Sequence, residues 1–255
     1  MLGAMIGDIV GSRFEFNNIK TKKFKLFNMR ESTMTDDSIM TVAVADSLVN
    51  NKNIISSLKE WGQKYPNAGY GSRFFYWVLS NESEPYNSCG NGSAMRVSSV
   101  GWIANSEEEV RELSKKVTEV THNHPEGLKG AEVTAMCVYY ARMGKDKEFI
   151  KNYVEQYYDL NFDYEELRRT YVHDAEICQV TVPQAIYCFL ISKDFEDCLR
   201  TTISIGGDCD TTAAISCAIA EAYYGIPSEI KNEAMKFIPN EIKKVINQFN
   251  KRVFK

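Results

Sequence analysis

Hydrophobic residues along this chain recur at the spacing of amphipathic helices, and nowhere do they alternate with polar residues in the sustained way of a β-strand. In the first half the pattern predicts helices at 1–11, 36–49, 54–65, from the 89–96 loop to about 104, and at 106–120. The segment 73–79 fits a short helix or a strand. In the second half helices are predicted at 125–143, 147–158, 164–171, 182–192, 195–204, 208–224, 228–237 and 240–251. Short turns join them without a linker, so the sequence predicts one all-α domain over residues 1–255.

The stretch 204–225 predicts the most deeply buried helix. Two glycines precede Asp208 and Asp210, Thr211 follows, and a run of small apolar residues continues to Gly225. We expect Asp208 to cap the N-terminus of this helix, Asp210 and Thr211 to lie in its first turn, and Gly225 to follow its last residue. Because the apolar side chains are small, other helices can pack on nearly every side, and the helix is expected to be central.

Carboxylates at the start of a buried helix have two interpretations. One is capping, since the helix dipole favours negative charge at the N-terminus, but a single acid suffices for that. The other is a metal site, because two acids and a Thr hydroxyl offer oxygen ligands of the kind that Mg²⁺ and Mn²⁺ prefer. This stretch alone leaves both interpretations open.

A second helix start has the same composition. Thr35, Asp36, Asp37 and Ser38 precede another apolar helix, with Thr35 placed to cap it and the two acids in its first turn. A single occurrence would indicate only a capped helix. The repetition on a second buried helix suggests two acidic helix starts that face each other and could hold two metal ions.

The N-terminal segment predicts a helix that another helix approaches closely. Gly3, Gly7 and Gly11 are spaced four residues apart and therefore lie on one helix face. Glu15 follows just after the predicted end of this helix, between aromatic residues. It is interpreted either as a solvated acid or as an acid placed over a functional site.

The loop 89–96 is a candidate phosphate site. Gly90, Asn91, Gly92 and Ser93 lead into a helix, where exposed backbone N–H groups can bind an anion, and Arg96 adds a positive charge. The loop lacks the G-K-[ST] ending of a Walker loop, and an ordinary helix entry explains it equally well. Downstream, His122 and His124 have no further ligand at zinc spacing, so a single site histidine or a structural one is expected.

Composition narrows the functional classes. The 255 residues are 44% hydrophobic and 25% charged, which suits a globular domain, and the net charge of −4 argues against a broad nucleic-acid surface. Seven scattered cysteines without a C-x-x-C pair indicate reduced, buried thiols. There is no membrane-spanning apolar run and no signal-peptide pattern. We therefore expect a cytoplasmic protein that does not bind a membrane, and nothing requires more than a monomer.

Taken together, these motifs resemble those of the ADP-ribosylglycohydrolase family. The resemblance extends from residue 3 to residue 213, and its motifs occur in the family's order. Each motif alone is weak, and the ordered set is specific. The matching segments are Gly3-Ala4 with Gly7-Asp8, Gly11 and Glu15; Thr35-Asp36-Asp37-Ser38; Gly69-Tyr70-Gly71; Gly90-Asn91-Gly92-Ser93-Ala94-Met95-Arg96; His124-Pro125 with Gly127; and Gly207-Asp208, Asp210-Thr211 and Ala213.

This resemblance implies an all-α, single-domain orthogonal helical bundle with two Mg²⁺ or Mn²⁺ ions in a cleft. The implied metal ligands are Thr35, Asp36, Asp37, Asp208, Asp210 and Thr211. The implied substrate-binding residues are Gly90, Asn91, Gly92, Ser93, Met95, Arg96 and His124. Asp36, Asp37 and Glu15 are the predicted catalytic carboxylates, and Ser38 stands where the family often has Thr. The adenine-contacting residues are not fixed by any motif.

The implied function is a dinuclear-metal hydrolase that cleaves the glycosidic bond at the anomeric carbon of ADP-ribose. It would release ADP-ribose from a modified protein, nucleic acid or small molecule, and the motifs do not choose among these acceptors. An alternative is a module of the same fold that binds ADP-ribose and cleaves it weakly or not at all. A D-x-D-x-T match to haloacid dehalogenase-type phosphatases is disfavoured, since Asp208 opens a helix and only 43 residues follow Thr212.

Overall fold

The computed structural model describes residues 1–172 and 176–254 as helices joined by short loops. The helices are, in chain order, α1 (Leu2–Gly11), α2 (Asp36–Asn50), α3 (Ile54–Lys64), α4 (Ser72–Leu79), α5 (Gly92–Met95), α6 (Ser98–Ile103), α7 (Glu107–Thr118), α8 (Pro125–Arg142), α9 (Lys147–Val154), α10 (Tyr164–Thr170), α11 (Cys178–Ile191), α12 (Phe195–Ile205), α13 (Cys209–Tyr224), α14 (Ser228–Ala234) and α15 (Asn240–Val253). A 3₁₀ turn, Ser12–Phe14, follows α1. These residues contain no β-strand, which confirms the all-α prediction.

Several helix boundaries differ from the sequence predictions. The helix expected from the 89–96 loop to about 104 is two helices, α5 and α6, separated by Arg96 and Val97. The helix expected from 182 begins four residues earlier, at Cys178, so Pro183 lies inside α11 and not in its first turn. Helix α9 ends at Val154, before the expected 158, and the segment left open at 73–79 is the helix α4. Local spacing locates helices better than it locates their ends.

Helix α13 is the centre of the bundle. Its side chains are buried from Cys209 to Ala220, and α1, α8, α11 and α12 pack around it. Helix α1 approaches so closely that a Cβ atom at Gly7 would lie 2.7 Å from the backbone nitrogen of Ala214. A Cβ atom at Gly11 would lie 2.6 Å from the Cα atom of Asp210. The glycine face predicted for the first helix is therefore the face that contacts α13.

Helix α1 also contacts α2, so it joins α2 and α13, the two helices that begin with the acidic motifs identified in the sequence. Every residue of α1, including Asp8, is buried. No helix in the described ranges is long and apolar enough to cross a membrane.

Candidate functional site

A cavity lies where the first turns of α2 and α13 meet the 88–96 loop. Its acidic wall comes from both helix starts, from the residue after the 3₁₀ turn and from the segment before α11. It comprises Glu15, Asp36, Asp37, Glu176, Asp208 and Asp210, with Thr211 beside them. The remaining wall is formed by the loop and by α4, and includes Gly90, Asn91, Gly92, Met95, Arg96, His122, Tyr86, Arg73 and Phe74. The two acidic helix starts thus open into one space together with the predicted phosphate loop.

Glycines set the entry to α13. Gly206 and Gly207 both have positive φ, 81° and 71°, in the region that other residues rarely adopt. Asp208 stands at the N-cap position, but its side chain makes no capping hydrogen bond, so the capping role expected for it is wrong. Instead, its Oδ2 accepts a hydrogen bond from Asn91 Nδ2 at 2.5 Å.

The start of α2 is capped as predicted and is also anchored from α1. Thr35 Oγ1 accepts a hydrogen bond from the backbone N–H of Asp37. Asp8 accepts three more hydrogen bonds, from the backbone N–H and the hydroxyl of Thr35 at 3.0 and 2.8 Å and from the N–H of Ser38 at 3.0 Å. Asp8 therefore fixes the position of the two carboxylates in the first turn, although the sequence interpretation gave it no role beyond packing.

The two helix starts touch each other. Thr211 Oγ1 donates a hydrogen bond to Asp37 Oδ2 at 3.0 Å, joining α13 to α2. Glu15, Asp208 and Asp210 each place a carboxylate oxygen within 4.8 Å of the other two. The expectation that the acidic starts of two helices face each other is met by these contacts.

Crowding of carboxylates in this buried space raises their pKa values. Burial raises the pKa of Glu15 to about 7 and that of Asp36 to about 8, and the negative charge of Asp208 adds to both shifts. Burial, followed by repulsion from neighbouring acids, holds the pKa values of Asp37, Asp208 and Asp210 well above the usual range. The acids therefore destabilise one another in the absence of a cation.

The donor set fits hard divalent cations. All the clustered side chains offer oxygen, which is the ligand atom that Mg²⁺ and Mn²⁺ prefer. Asp37 Oδ1 is buried and has no hydrogen-bond partner within the described residues, so an acceptor is available without breaking an existing contact. Thr35 Oγ1 has one lone pair left for a metal, since it donates its hydrogen to Asp8 and accepts a hydrogen bond from the N–H of Asp37.

We expect Asp8→Asn to weaken metal binding, although Asp8 is not one of the proposed metal ligands. The amide nitrogen cannot accept the hydrogen bonds that an Asp8 oxygen now receives, so the start of α2 loses part of its anchor. Groups that orient metal ligands are typically worth about 10–100-fold in affinity.

The measurement is a Mn²⁺ titration by calorimetry, with Asp46→Asn as the matched control. Asp46 is also buried on α2 and accepts hydrogen bonds from Trp61 and Lys52, but it lies outside the cavity wall. Unchanged Mn²⁺ affinity in a folded Asp8→Asn protein would show that the anchor has no such role.

Two backbone hydrogen bonds hold the loop 89–96 against the segment that leads into α11. The backbone N–H of Asn91 donates to the carbonyl of Glu176 at 3.0 Å, and that of Cys178 donates to the carbonyl of Cys89 at 3.0 Å. Of the predicted substrate-binding residues, Ser93 lies behind the cavity wall: its hydroxyl is buried and donates to the carbonyl of Gly127 at 2.9 Å. Its direct contact with a substrate remains a prediction.

The two neighbouring histidines have different surroundings. His124 stands at the N-cap of α8, where its Nδ1 accepts a hydrogen bond from the backbone N–H of Glu126 at 3.1 Å. Among the described residues that line the cavity, the histidine is His122. Burial, and secondarily the charge of Arg96, holds the pKa of His122 well below its usual value, so its ring is neutral.

Sequence reasoning assigned no role in this site to several of its polar residues. Asp8 had a usable signal, because an acid on a helix otherwise made of glycine and apolar residues is costly unless it is bonded. No sequence signal pointed to Arg73, Tyr86 or Glu176. Each lies in a segment without a motif and reaches the cavity only through the tertiary fold.

Comparison with known proteins agrees with this arrangement. A sequence model of the ADP-ribosylglycohydrolase family matches residues 1–255. The chain belongs to this family. This confirms the family resemblance, and the family is one of ADP-ribosyl glycohydrolase enzymes.

Relatives of this ADP-ribosylglycohydrolase family member are distant in sequence, and the alignments cover most of both proteins. The chain is 27% identical to the ADP-ribosylhydrolase ARH3 of Homo sapiens over 306 aligned positions, which cover 89% of the chain and 84% of the relative. It is 25% identical to the ADP-ribosyl-[dinitrogen reductase] glycohydrolase of Rhodospirillum rubrum, covering 88% and 84%. A solved ADP-ribosylglycohydrolase-related protein complex superposes with a TM-score of 0.73 at 20% identity, covering 99% and 95%, and supports the fold.

Proposed function

We propose that this family member hydrolyses the glycosidic bond at the anomeric carbon of ADP-ribose and releases ADP-ribose from a modified acceptor. The observation that carries the proposal is the hydrogen bond from Thr211 to Asp37, which brings two acidic helix starts together in the cavity that the 90–96 loop also lines. Such a cavity has a cation-binding half and an anion-binding half. An ADP-ribosyl group, with a diol at one end of its ribose and a diphosphate at the other, matches both.

Two Mg²⁺ or Mn²⁺ ions are the proposed cofactors. The residues that would hold them are drawn from both helix starts and comprise Thr35, Asp36, Asp37, Asp208, Asp210 and Thr211. When bound, such ions orient ribose hydroxyls and lower the pKa of a water molecule. The placement of Glu15 within 4.8 Å of Asp208 and Asp210 adds a possible ligand that the motif-based set did not contain.

The protein's own groups have separate proposed roles around the scissile bond. In this proposal Glu15, which is partly exposed at the cavity wall, takes a proton from the attacking water and delivers it to the departing acceptor. The backbone of Gly90 and Gly92 can approach a phosphate closely because neither residue has a side chain. Arg96 stays cationic at neutral pH even though burial lowers its pKa to about 10, and it provides positive potential beneath this loop.

The test is release of free ADP-ribose from arginine-, serine- and nucleic-acid-linked substrates, measured with Mg²⁺, with Mn²⁺ and with EDTA. We expect metal-dependent release from at least one substrate, which would also identify the linkage. Binding of free ADP-ribose without release from any of them would instead assign the chain to the class of ADP-ribose-binding modules.

A further inference from the structure

A chain of hydrogen bonds connects Arg96 to the imidazole of His122. Arg96 Nη2 donates to Thr121 Oγ1 at 2.8 Å. The same hydroxyl lies 2.8 Å from His122 Nδ1. All three residues are buried, with exposed fractions of 1%, 0% and 5%, so water cannot substitute for any of these partners.

The direction of the second hydrogen bond follows from the first. A guanidinium group has donors only, so Arg96 must use a lone pair of the Thr121 hydroxyl. The hydroxyl hydrogen then needs an acceptor, because a buried donor without one costs about 1–3 kcal/mol. Within the described residues, His122 Nδ1 is the acceptor that Thr121 Oγ1 reaches. Thr121 therefore donates, and Nδ1 carries no proton.

The second nitrogen of the ring must then carry the proton of the neutral imidazole. This nitrogen, Nε2, lies over the phosphate loop: a Cβ atom built on Gly92 would be 3.3 Å from it, and one built on Gly90 would be 3.6 Å from it. A neutral Nε2–H group that faces Gly90 and Gly92 can donate a hydrogen bond to an anion bound at this loop. It does so without adding a positive charge to that of Arg96.

We propose that Arg96 and Thr121 are positioning residues that hold His122 as an Nε2–H donor to a phosphoryl oxygen of the substrate diphosphate. The choice of ligand rests on the proposed function, whereas the tautomer rests on the contacts around Thr121 alone. Arg96 acts through Thr121 and is not required to touch the phosphate.

The tautomer can be measured directly by ¹⁵N NMR of histidine-labelled protein. The chain has three histidines, His122, His124 and His173, and His122→Gln assigns the signals of interest by their loss. We expect Nδ1 of His122 to be unprotonated and Nε2 to be protonated across about pH 6–8, the range in which an ordinary histidine titrates. A protonated Nδ1 in the wild-type protein would overturn the proposal without any variant.

The variant Thr121→Val removes the hydroxyl at nearly constant volume. We expect the Nδ1-protonated form to become populated and the dissociation constant for ADP-ribose to rise about tenfold, as for the loss of one hydrogen bond to a charged group. In turnover, KM should rise while kcat stays near the wild-type value, because the proposed role of His122 is to bind the diphosphate and not to transfer a proton at the scissile bond. Thr121→Ser keeps the hydroxyl and should restore both the tautomer and the affinity.

The matched control is Thr118→Val, one helical turn earlier. Thr118 is also fully buried, and its hydroxyl has no hydrogen-bond partner among the described residues. It should leave the His122 signals and the ADP-ribose affinity unchanged. Equal affinity in Thr121→Val and the wild type would contradict the proposed positioning role. If the wild-type protein binds no ADP-ribose at all, the proposed function and ligand are wrong, while the NMR result still decides the tautomer.

Discussion

Asp210→Asn is expected to reduce metal-dependent release of ADP-ribose by roughly 10³-fold and, in EDTA, to stabilise the fold. The loss of activity follows because the carboxylate of Asp210 is one of three whose oxygens lie within 4.8 Å of one another. The gain in stability follows because the variant removes one charge from a buried group of like charges. The measurements are turnover with saturating Mn²⁺ and melting temperature in EDTA.

The stability of the metal-free protein is expected to decrease as the pH rises. Burial and the neighbouring acids hold the pKa of Asp210 above its unfolded value, so the folded protein binds more protons than the unfolded chain. Wild-type stability in EDTA should therefore fall as pH rises above about 4, the ordinary carboxyl pKa, and Asp210→Asn should reduce that fall. A gain of about 1 kcal/mol corresponds to about 2–4 °C in a domain of this size.

Asp197→Asn is the matched control for Asp210→Asn. Asp197 also lies in the first turn of a helix, α12, but it forms an ion pair with Lys22 at 2.9 Å. Burial opposes its ionisation, yet the hydrogen bonds from Lys22 and from the backbone of Lys193 outweigh it and hold its pKa below the usual value. This control should lose stability at neutral pH and keep its activity. If Asp210→Asn also loses stability in EDTA, repulsion among the buried carboxylates does not destabilise the wild-type fold.

Gly11→Ala is expected to lower the free energy of unfolding by about 2–3 kcal/mol and to remove activity from the protein that remains folded. The added methyl group would lie 2.6 Å from Asp210 Cα and 2.7 Å from the backbone carbonyl oxygen of Cys209. Backbone atoms within a helix cannot rotate away, so α1 and the start of α13 must separate. That movement would displace the carboxylates of Asp208 and Asp210. Urea unfolding followed by circular dichroism, and turnover per folded molecule, measure the two effects.

Gly62→Ala separates this effect from the general consequence of adding a methyl group to a helix. A Cβ atom at Gly62 would lie 2.8 Å from Cγ1 of Val78, a side-chain atom that can shift. Alanine also favours a helix interior over glycine by about 1 kcal/mol. The free energy of unfolding should therefore change by less than about 1 kcal/mol, with activity intact. Equal losses for Gly11→Ala and Gly62→Ala would refute the close-contact argument.

The fold could be predicted from the sequence because its main signals are local. Hydrophobic spacing located the helices, and the glycine spacing in α1 identified the face that contacts α13. The break between α5 and α6 could not be foreseen, because the buried guanidinium of Arg96 bonds to residues of α7 and the turn after it. Helix α11 begins four residues before the predicted position, and Pro183 lies in its interior, whereas a proline is more common in the first turn of a helix.

The site was predictable to the extent that it consists of motifs. The two acidic helix starts and the phosphate loop were each visible in sequence, and the fold brings them to one cavity. The sequence could not tell His122 from His124, because they are two residues apart and only the tertiary fold puts His122 at the cavity wall and His124 at the N-cap of α8. Asp208 was expected to cap α13, but its carboxylate accepts a hydrogen bond from Asn91, a contact between distant segments that the local sequence does not reveal.

The side chain of Asn91 has a consequence for how ligands bind together. Its amide bonds to Asp208 in the acidic half of the cavity, while its backbone belongs to the loop for which we propose anion binding. A change in the position of either half is therefore transmitted to the other through one residue. Thermodynamic linkage then requires reciprocity: by whatever factor a divalent cation increases the affinity for a diphosphate, the diphosphate increases the affinity for the cation. On the proposed function, we therefore expect the cation and the diphosphate to bind cooperatively.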